Sequence, residues 1–304
     1  MTRLPDFFIV GHPKTGTTAL YDMLRAHPQI FLSRVKEPGF LAPELRTGWT
    51  LDRYLDLFAA ARDDQLAGEA TSHYLMSPVA ADAIARMNPN ARVVAIFRDP
   101  AEWIPSLHIQ YMADHLEDVR DLRDALRLEP ARREGRRIPQ GAVGREYRLQ
   151  YTGHVRYTEQ LQRMQRALGA DRVHVMIYDD LRDDRIKAMS DLLAFLGADS
   201  SVDLPHLESN VTARAMRFPA LDRAIHRLSH GAGAYRFVKP AIKRALPRPL
   251  RRRAFASVRQ HVVYGPVAPF DPELDRELRV IFGPEVERFS ALVGRDLAIE
   301  WGYD

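Results

Sequence analysis

The chain of 304 residues contains no cysteine. That excludes a disulfide framework, thiolate zinc and iron–sulfur sites, and a thiol nucleophile. Lysine is scarce as well, with five residues against 39 arginines. Two of the five, Lys14 and Lys36, fall within the first 40 residues. No apolar run approaches the roughly 20 residues that a membrane-spanning helix needs. The N-terminal MTRLPDFFIVG has no long apolar stretch ending at small residues, so no signal peptide is expected and a cytoplasmic location is. Lys plus Arg is 44 and Asp plus Glu 40, a net charge of +4 too balanced for a generic nucleic-acid binder. Local anion sites remain open. There is no internal repeat and no low-complexity tract. The hydrophobic share of 46% and the length suit one large α/β domain or two small ones.

The short apolar run FFIV at 7–10 ends in Gly11 and predicts a buried parallel strand. RVVAIF at 92–97 and residues 172–178 predict two more. The segment 17–26 places Leu20, Met23 and Leu24 on one helical face before Pro28 ends it. Helical patterns also occupy about 78–87, 144–168, 186–196 and 272–293. Strands alternating with helices predict an α/β fold, a P-loop-like parallel sheet covered on both faces, with ligands at the carboxyl ends of its strands. Residues 129–145 mix Pro, Gly and Arg and predict a loop or lid.

Gly11-His12-Pro13-Lys14-Thr15-Gly16-Thr17-Thr18 joins the first strand to the first helix. Such a turn presents free backbone N–H groups and the positive end of a helix dipole to an anion. Lys14, Thr15, Gly16, Thr17 and Thr18 are therefore candidate phosphate contacts. The loop is not a Walker A motif, which would need lysine at 17, where Thr17 stands. The strand at 92–97 runs into Arg98 rather than a metal-binding aspartate, which weakens a kinase reading. Asp99 as N-cap, Pro100 at N1 and Glu102 at N3 form a capping-box-like helix start. Arg98 at the strand end and Ser106 eight residues on can close on one phosphate. Pro105 is expected to kink the helix just before Ser106.

PKTGTT after a strand resembles the 5′-phosphosulfate loop of the sulfotransferases that use 3′-phosphoadenylyl sulfate (PAPS). The Arg98–Ser106 pair resembles that family's 3′-phosphate site. Residues 68–100 look like the matching stretch of glycosaminoglycan sulfotransferases and their bacterial relatives. Tyr178-Asp179-Asp180-Leu181 resembles the family's YEDL, whose Tyr lies near the adenine in some members. Gly294-Arg295-Asp296-Leu297 with Trp301 resembles a C-terminal motif of bacterial members. The likeness spans about residues 6–198 and 272–301.

The resemblance implies a single sulfotransferase domain over 1–304, PAPS as donor, 3′,5′-ADP (PAP) as product and no metal. Lys14 would neutralise the leaving phosphate, and Tyr178 would join the nucleotide site. Glu37, in SRVKEPGFL after the extended run IFL, is similar to a glutamate that acts as base in bacterial and glycan members. It competes with a plain pairing to Lys36 or a turn before Pro38, and with His73 and His108 as bases; His12 reads as structural. Arg214 and Arg217 are candidates for a basic segment closing over the nucleotide. Ala70 stands where glycan enzymes carry a lysine after their glutamate, so a second catalytic lysine is expected to be missing. The acceptor is left open among glycan, lipid and other small-molecule hydroxyls. A P-loop small-molecule kinase and a non-catalytic nucleotide-binding protein are the rival functions.

Residues 223–270 hold no Asp or Glu and 11 Lys or Arg. A basic helical insertion or lid is expected at about 215–270. Its stretch 236–253 reads either as a solvated basic helix or as a peripheral membrane contact.

Overall fold

The computed structural model describes residues 3–45, 47–202, 204–205 and 271–303, with the backbone of 214–216 and 264–266. Five strands form one parallel sheet: β1 (Phe7–Val10), β2 (Ile30–Leu32), β3 (Leu66–Ala70), β4 (Arg92–Phe97) and β5 (Val173–Ile177). Their order across the sheet is β2-β3-β1-β4-β5. In register, Phe7 lies beside Gly68 on one side and Arg92 on the other.

Helices cross between the strands, as parallel pairing requires. They are α1 (Thr17–Leu24), α2 (Leu51–Leu55), α3 (Ala80–Met87), α4 (Pro100–Ala113), α5 (Leu122–Arg127), α6 (Glu129–Arg133), α7 (Tyr151–His154) and α8 (Tyr157–Leu168). After β5 come α9 (Tyr178–Asp183), α10 (Arg185–Leu196), α11 (Pro272–Val293) and α12 (Leu297–Glu300).

Both sheet faces are buried, which is why the central strands read as unbroken apolar runs. Phe8 and Val10 face one layer with Trp103, Met164 and Phe289, from α4, α8 and α11. Phe7 and Ile9 face the other with Leu20, Leu24, Leu192 and Leu196, from α1 and α10. Burying each such side chain contributes about 1.5–3 kcal/mol.

The expected strands at 7–10 and 92–97 are found at those limits, and the IFL run forms β2. Two expectations need correction. The helical pattern at 144–168 is broken into a 3-10 turn at Glu146–Leu149, α7 and α8. The break is held by His154, whose ring nitrogen lies 2.9 Å from the Arg148 carbonyl and whose own carbonyl accepts from Gln160. The expected loop at 129–145 starts as α6, because the Arg132 guanidinium makes two bonds to the buried Glu117. Helix α4 is one element that contains Pro105.

Strands β6 (Arg214–Met216) and β7 (Tyr264–Pro266) pair antiparallel. Nearly all of the expected 215–270 insertion, including 236–253, lies outside the described residues. Among the described residues no helix is long and apolar enough to cross a membrane.

Candidate active site

Each of the five strands delivers a polar group at its carboxyl end. Lys14 follows β1, Lys36 and Glu37 follow β2, Ser72 and His73 follow β3, Arg98 follows β4 and Tyr178 follows β5.

The loop after β1 is tightly tied. Gly11 donates its N–H to the Ser72 carbonyl at 3.2 Å. A Cβ on Gly11 would lie 2.9 Å from the Ile96 carbonyl oxygen, so only glycine fits. Thr15 turns both its N–H (3.3 Å) and its hydroxyl (2.8 Å) back onto the His12 carbonyl. Its side chain thus shapes the loop from within. His12 is buried, stacks on Trp103 at 5.0 Å and pairs with Gln160 at 2.9 Å. Burial pushes its pKa down to about 3, so it is a neutral part of the scaffold.

Lys14 and Gly16 both have left-handed backbones, at φ 73 and 90. For lysine this costs roughly 1–2 kcal/mol, strain of the kind that gathers at functional sites. The helix α1 starts from Gly16 with no side-chain cap and no acidic residue in its first turn. By contrast, α4, α10 and α11 start on the capping carboxylates Asp99, Asp184 and Asp271. The first N–H groups of α1 therefore have no side-chain acceptor among the described residues. Thr17 is buried beside them and Thr18 is exposed. Burial, with Arg98 nearby, lowers the pKa of Lys14.

Glu37 also has a left-handed backbone, φ 39, which aims its carboxylate at the end of β3. Ser72 donates its hydroxyl to Oε1 at 2.7 Å, and His73 Nδ1 lies 3.4 Å from Oε2. Lys36 Nζ lies 3.4 Å from Glu37 Oε1 and 3.4 Å from Thr17 Oγ1. Burial raises the Glu37 pKa, but His73, Lys36 and Ser72 outweigh it and hold it at about 2. The segment behind Glu37 is anchored on β3. Gly39 donates to Thr71 Oγ1 at 3.2 Å, and Thr71 donates to the buried Glu69 at 2.6 Å. Tyr54 also bonds Glu69, whose pKa burial raises to about 7.

On the other side, Asp99 caps α4 through the Ala101 N–H at 2.9 Å. The expected reciprocal half of a capping box is not made. Glu102 instead takes the Arg98 guanidinium, at 2.8 and 3.1 Å. Arg98 also donates to the Lys14 carbonyl at 3.0 Å. Ser106 donates to the Glu102 carbonyl at 3.4 Å. The Tyr178 ring carries the Arg98 guanidinium at 4.5 Å on one side. It also packs so closely on Gly16 that a Cβ there would lie 2.7 Å from it. Lys14, Gly16, Arg98 and Tyr178 are thereby brought together; Arg214 contributes only backbone to the description, and Arg217 lies outside it.

The C-terminal segment locks this edge. Trp301 donates its indole N–H to Asp179 at 2.9 Å, and Arg295 pairs with Asp180 at 2.5 Å. Tyr303 donates to Asp99 at 2.7 Å. Arg295, Trp301 and Tyr303 thus act as one clamp on the residues flanking Tyr178 and Arg98.

The sulfotransferase domain matches residues 4–219. The chain belongs to the sulfotransferase family. Human carbohydrate sulfotransferase 15 is 29% identical over 157 residues, covering 37% of this chain and 28% of that protein. Human heparan sulfate glucosamine 3-O-sulfotransferase 3B1 is 33% identical over 98 residues, covering 32% of this chain and 24% of that one. The chain therefore spans only about a quarter of the length of these relatives. A crystal structure of a sulfotransferase from Alicyclobacillus acidocaldarius matches over 98% of both chains, with a TM-score of 0.69 and 23% identity, so the two share a fold.

Within this sulfotransferase domain the competing histidines separate. His108 is buried, with its ring nitrogen 2.9 Å from the Val119 carbonyl, and belongs to the core. His73 touches Glu37, and its Nε2 is buried without a hydrogen-bond partner among the described residues. Neither Lys36 nor Ser72 is among the site residues expected from the sequence. The signal for Lys36 was present in the rarity of lysine. Ser72 carries no signal of its own, because the strand before it does not show the apolar pattern.

Proposed function

We propose that this sulfotransferase moves a sulfuryl group from PAPS to a hydroxyl of a carbohydrate, lipid or other small-molecule acceptor, releasing PAP. One observation carries the reading: an ionised carboxylate after β2 and the uncapped N-terminus of α1 after β1 stand at the same carboxyl edge of the sheet, linked through a single ammonium group. The residues fit the donor. The α1 amides and Lys14 suit the 5′-phosphosulfate. Arg98 and Ser106 suit the 3′-phosphate, and Tyr178 offers a ring beside Arg98 and Gly16.

Glu37 takes the proton of the acceptor hydroxyl while its oxygen attacks sulfur. The bond between sulfur and the 5′-phosphate oxygen breaks, and its electron pair stays on PAP. Lys14 and the loop amides stabilise that charge as it grows. A carboxylate with a pKa of about 2 is always ionised at neutral pH but is a weak base. The hydroxyl becomes acidic only as the O–S bond forms, so the proton moves late in the step.

The kinase reading lacks its lysine at 17 and its aspartate at 98. The test is calorimetry in EDTA. PAP is expected to bind, and adenosine 5′-monophosphate, without the 3′-phosphate, to bind at least tenfold more weakly. Equal affinities, or binding only with Mg²⁺, would remove the assignment. A sulfate adduct found by mass spectrometry after incubating PAPS with extracts of the native cell would identify the acceptor.

A further inference from the structure

We propose that Lys36 is a second catalytic lysine of this enzyme, contacting the sulfuryl group as it passes from donor to acceptor. The inference rests on the PAPS reading above and adds a residue to it.

The argument is one of position. Lys36 Nζ sits between Thr17, at the first turn of the uncapped helix α1, and Glu37, 3.4 Å from each. The first marks where the donor's anionic end is held, and the second where the acceptor hydroxyl must lie. The reacting sulfur travels between those points, so the ammonium lies on its path. Neither contact is short. A settled N–H···O bond spans about 2.7–3.2 Å, so the three donors of this ammonium are only loosely engaged. The side chain is 18% exposed, shielded enough for its charge to act at low dielectric yet open to a ligand.

Ala70 explains why the charge arrives from β2. It ends β3 fully buried in the apolar layer beneath α1, with Leu20, Met23 and Ile9, and carries no charge. Lys36 approaches the same helix start from the neighbouring strand. It also lies against the base, so one cation can hold the sulfuryl oxygens and keep Glu37 ionised.

The test needs no acceptor. Binding of PAPS and of PAP is measured for wild type, Lys36→Met and Lys36→Arg. PAP has no sulfuryl group, so its affinity is expected to change less than threefold in either variant. PAPS affinity is expected to fall about tenfold or more in Lys36→Met, as befits loss of a charged hydrogen bond. Lys36→Arg, which keeps the charge, is expected to recover most of it. The slow release of sulfate from PAPS in water should follow the same order. A PAPS-to-PAP affinity ratio in Lys36→Met within twofold of wild type would overturn the proposal and leave Lys36 a counter-ion of Glu37. If wild type bound neither nucleotide, the PAPS reading itself would fail. Circular dichroism checks folding, and the Arg variant keeps the test valid should the Met variant unfold.

Discussion

The two anion sites at the carboxyl edge of the sheet are built on opposite plans. At the first, α1 starts without a cap, Lys14 is held in a strained backbone, and Lys36 hangs between two long contacts. At the second, α4 is capped by Asp99, and Arg98 is already committed to Glu102 and the Lys14 carbonyl. The first is ready for charge before any ligand arrives. The second must exchange a carboxylate for a phosphate. The difference fits a division of labour. Catalysis is served by groups fixed in advance where charge develops, whereas binding tolerates an exchange of partners.

The largest expected effect lies where the first site meets the base. Glu37→Gln keeps size and removes basicity, and should lower the transfer rate on the order of 10²–10⁴-fold with PAP affinity little changed. The pH profile sharpens this. The Glu37 pKa is depressed to about 2, so the carboxylate stays ionised on going down from pH 8 to 5 and is lost only well below that. The rate of transfer should therefore be flat over that range. An acid limb inside it, abolished in His73→Asn, would move the proton acceptor to His73.

Next come the two cations set against each other. Lys14→Ala should lower turnover far more than PAP affinity, because its contact strengthens as the leaving group gains charge. Arg98→Ala should do the reverse: PAP binding is expected to weaken about tenfold or more, for a charged bond of about 1.5–3 kcal/mol, at nearly constant turnover under saturation. If both variants lost affinity and rate in the same proportion, the division between the sites would be wrong.

The sequence displays one half of this arrangement far better than the other. β1 and β4 are apolar runs with turn residues after them, so their limits and the groups that follow, Lys14 and Arg98, are legible by pattern alone. β3 escapes the pattern. Its LAGEA holds a glycine that lies under the Phe7 ring, where a Cβ would come within 2.2 Å of it, and a buried glutamate satisfied by Thr71 and Tyr54. Periodicity counts both against a core strand, yet β3 stands between β2 and β1 and sets where Ser72 and His73 fall. Glu37 is legible only through resemblance, since its role depends on a left-handed backbone that no local spacing encodes. The C-terminal clamp is visible in part, as the motif that holds Arg295 and Trp301, but the bonds from Trp301 to Asp179 and from Tyr303 to Asp99 join residues 122 and 204 positions apart. Contacts at that separation follow from the assembled sheet.

The smallest expected effect probes the exchange at the second site. Glu102 is 42% exposed and Arg98 20%, so their ion pair is partly solvated and contributes about 0–1 kcal/mol. A phosphate held by the same guanidinium gains about 1.5–3 kcal/mol, so the phosphate wins the exchange at some loss of affinity. Glu102→Gln removes the competitor and one nearby negative charge while keeping the side chain's size. PAP affinity, read by calorimetry, should rise roughly two- to fivefold at low salt. The gain should shrink as ionic strength increases, because screening weakens the native pair first. Thermal stability is expected to fall slightly, since Glu102 lies in the first turn of α4 and favours its dipole by about 0.3–1 kcal/mol. A loss of PAP affinity would reverse the comparison: Glu102 would then hold Arg98 in its binding pose, and the second site would be as preorganised as the first.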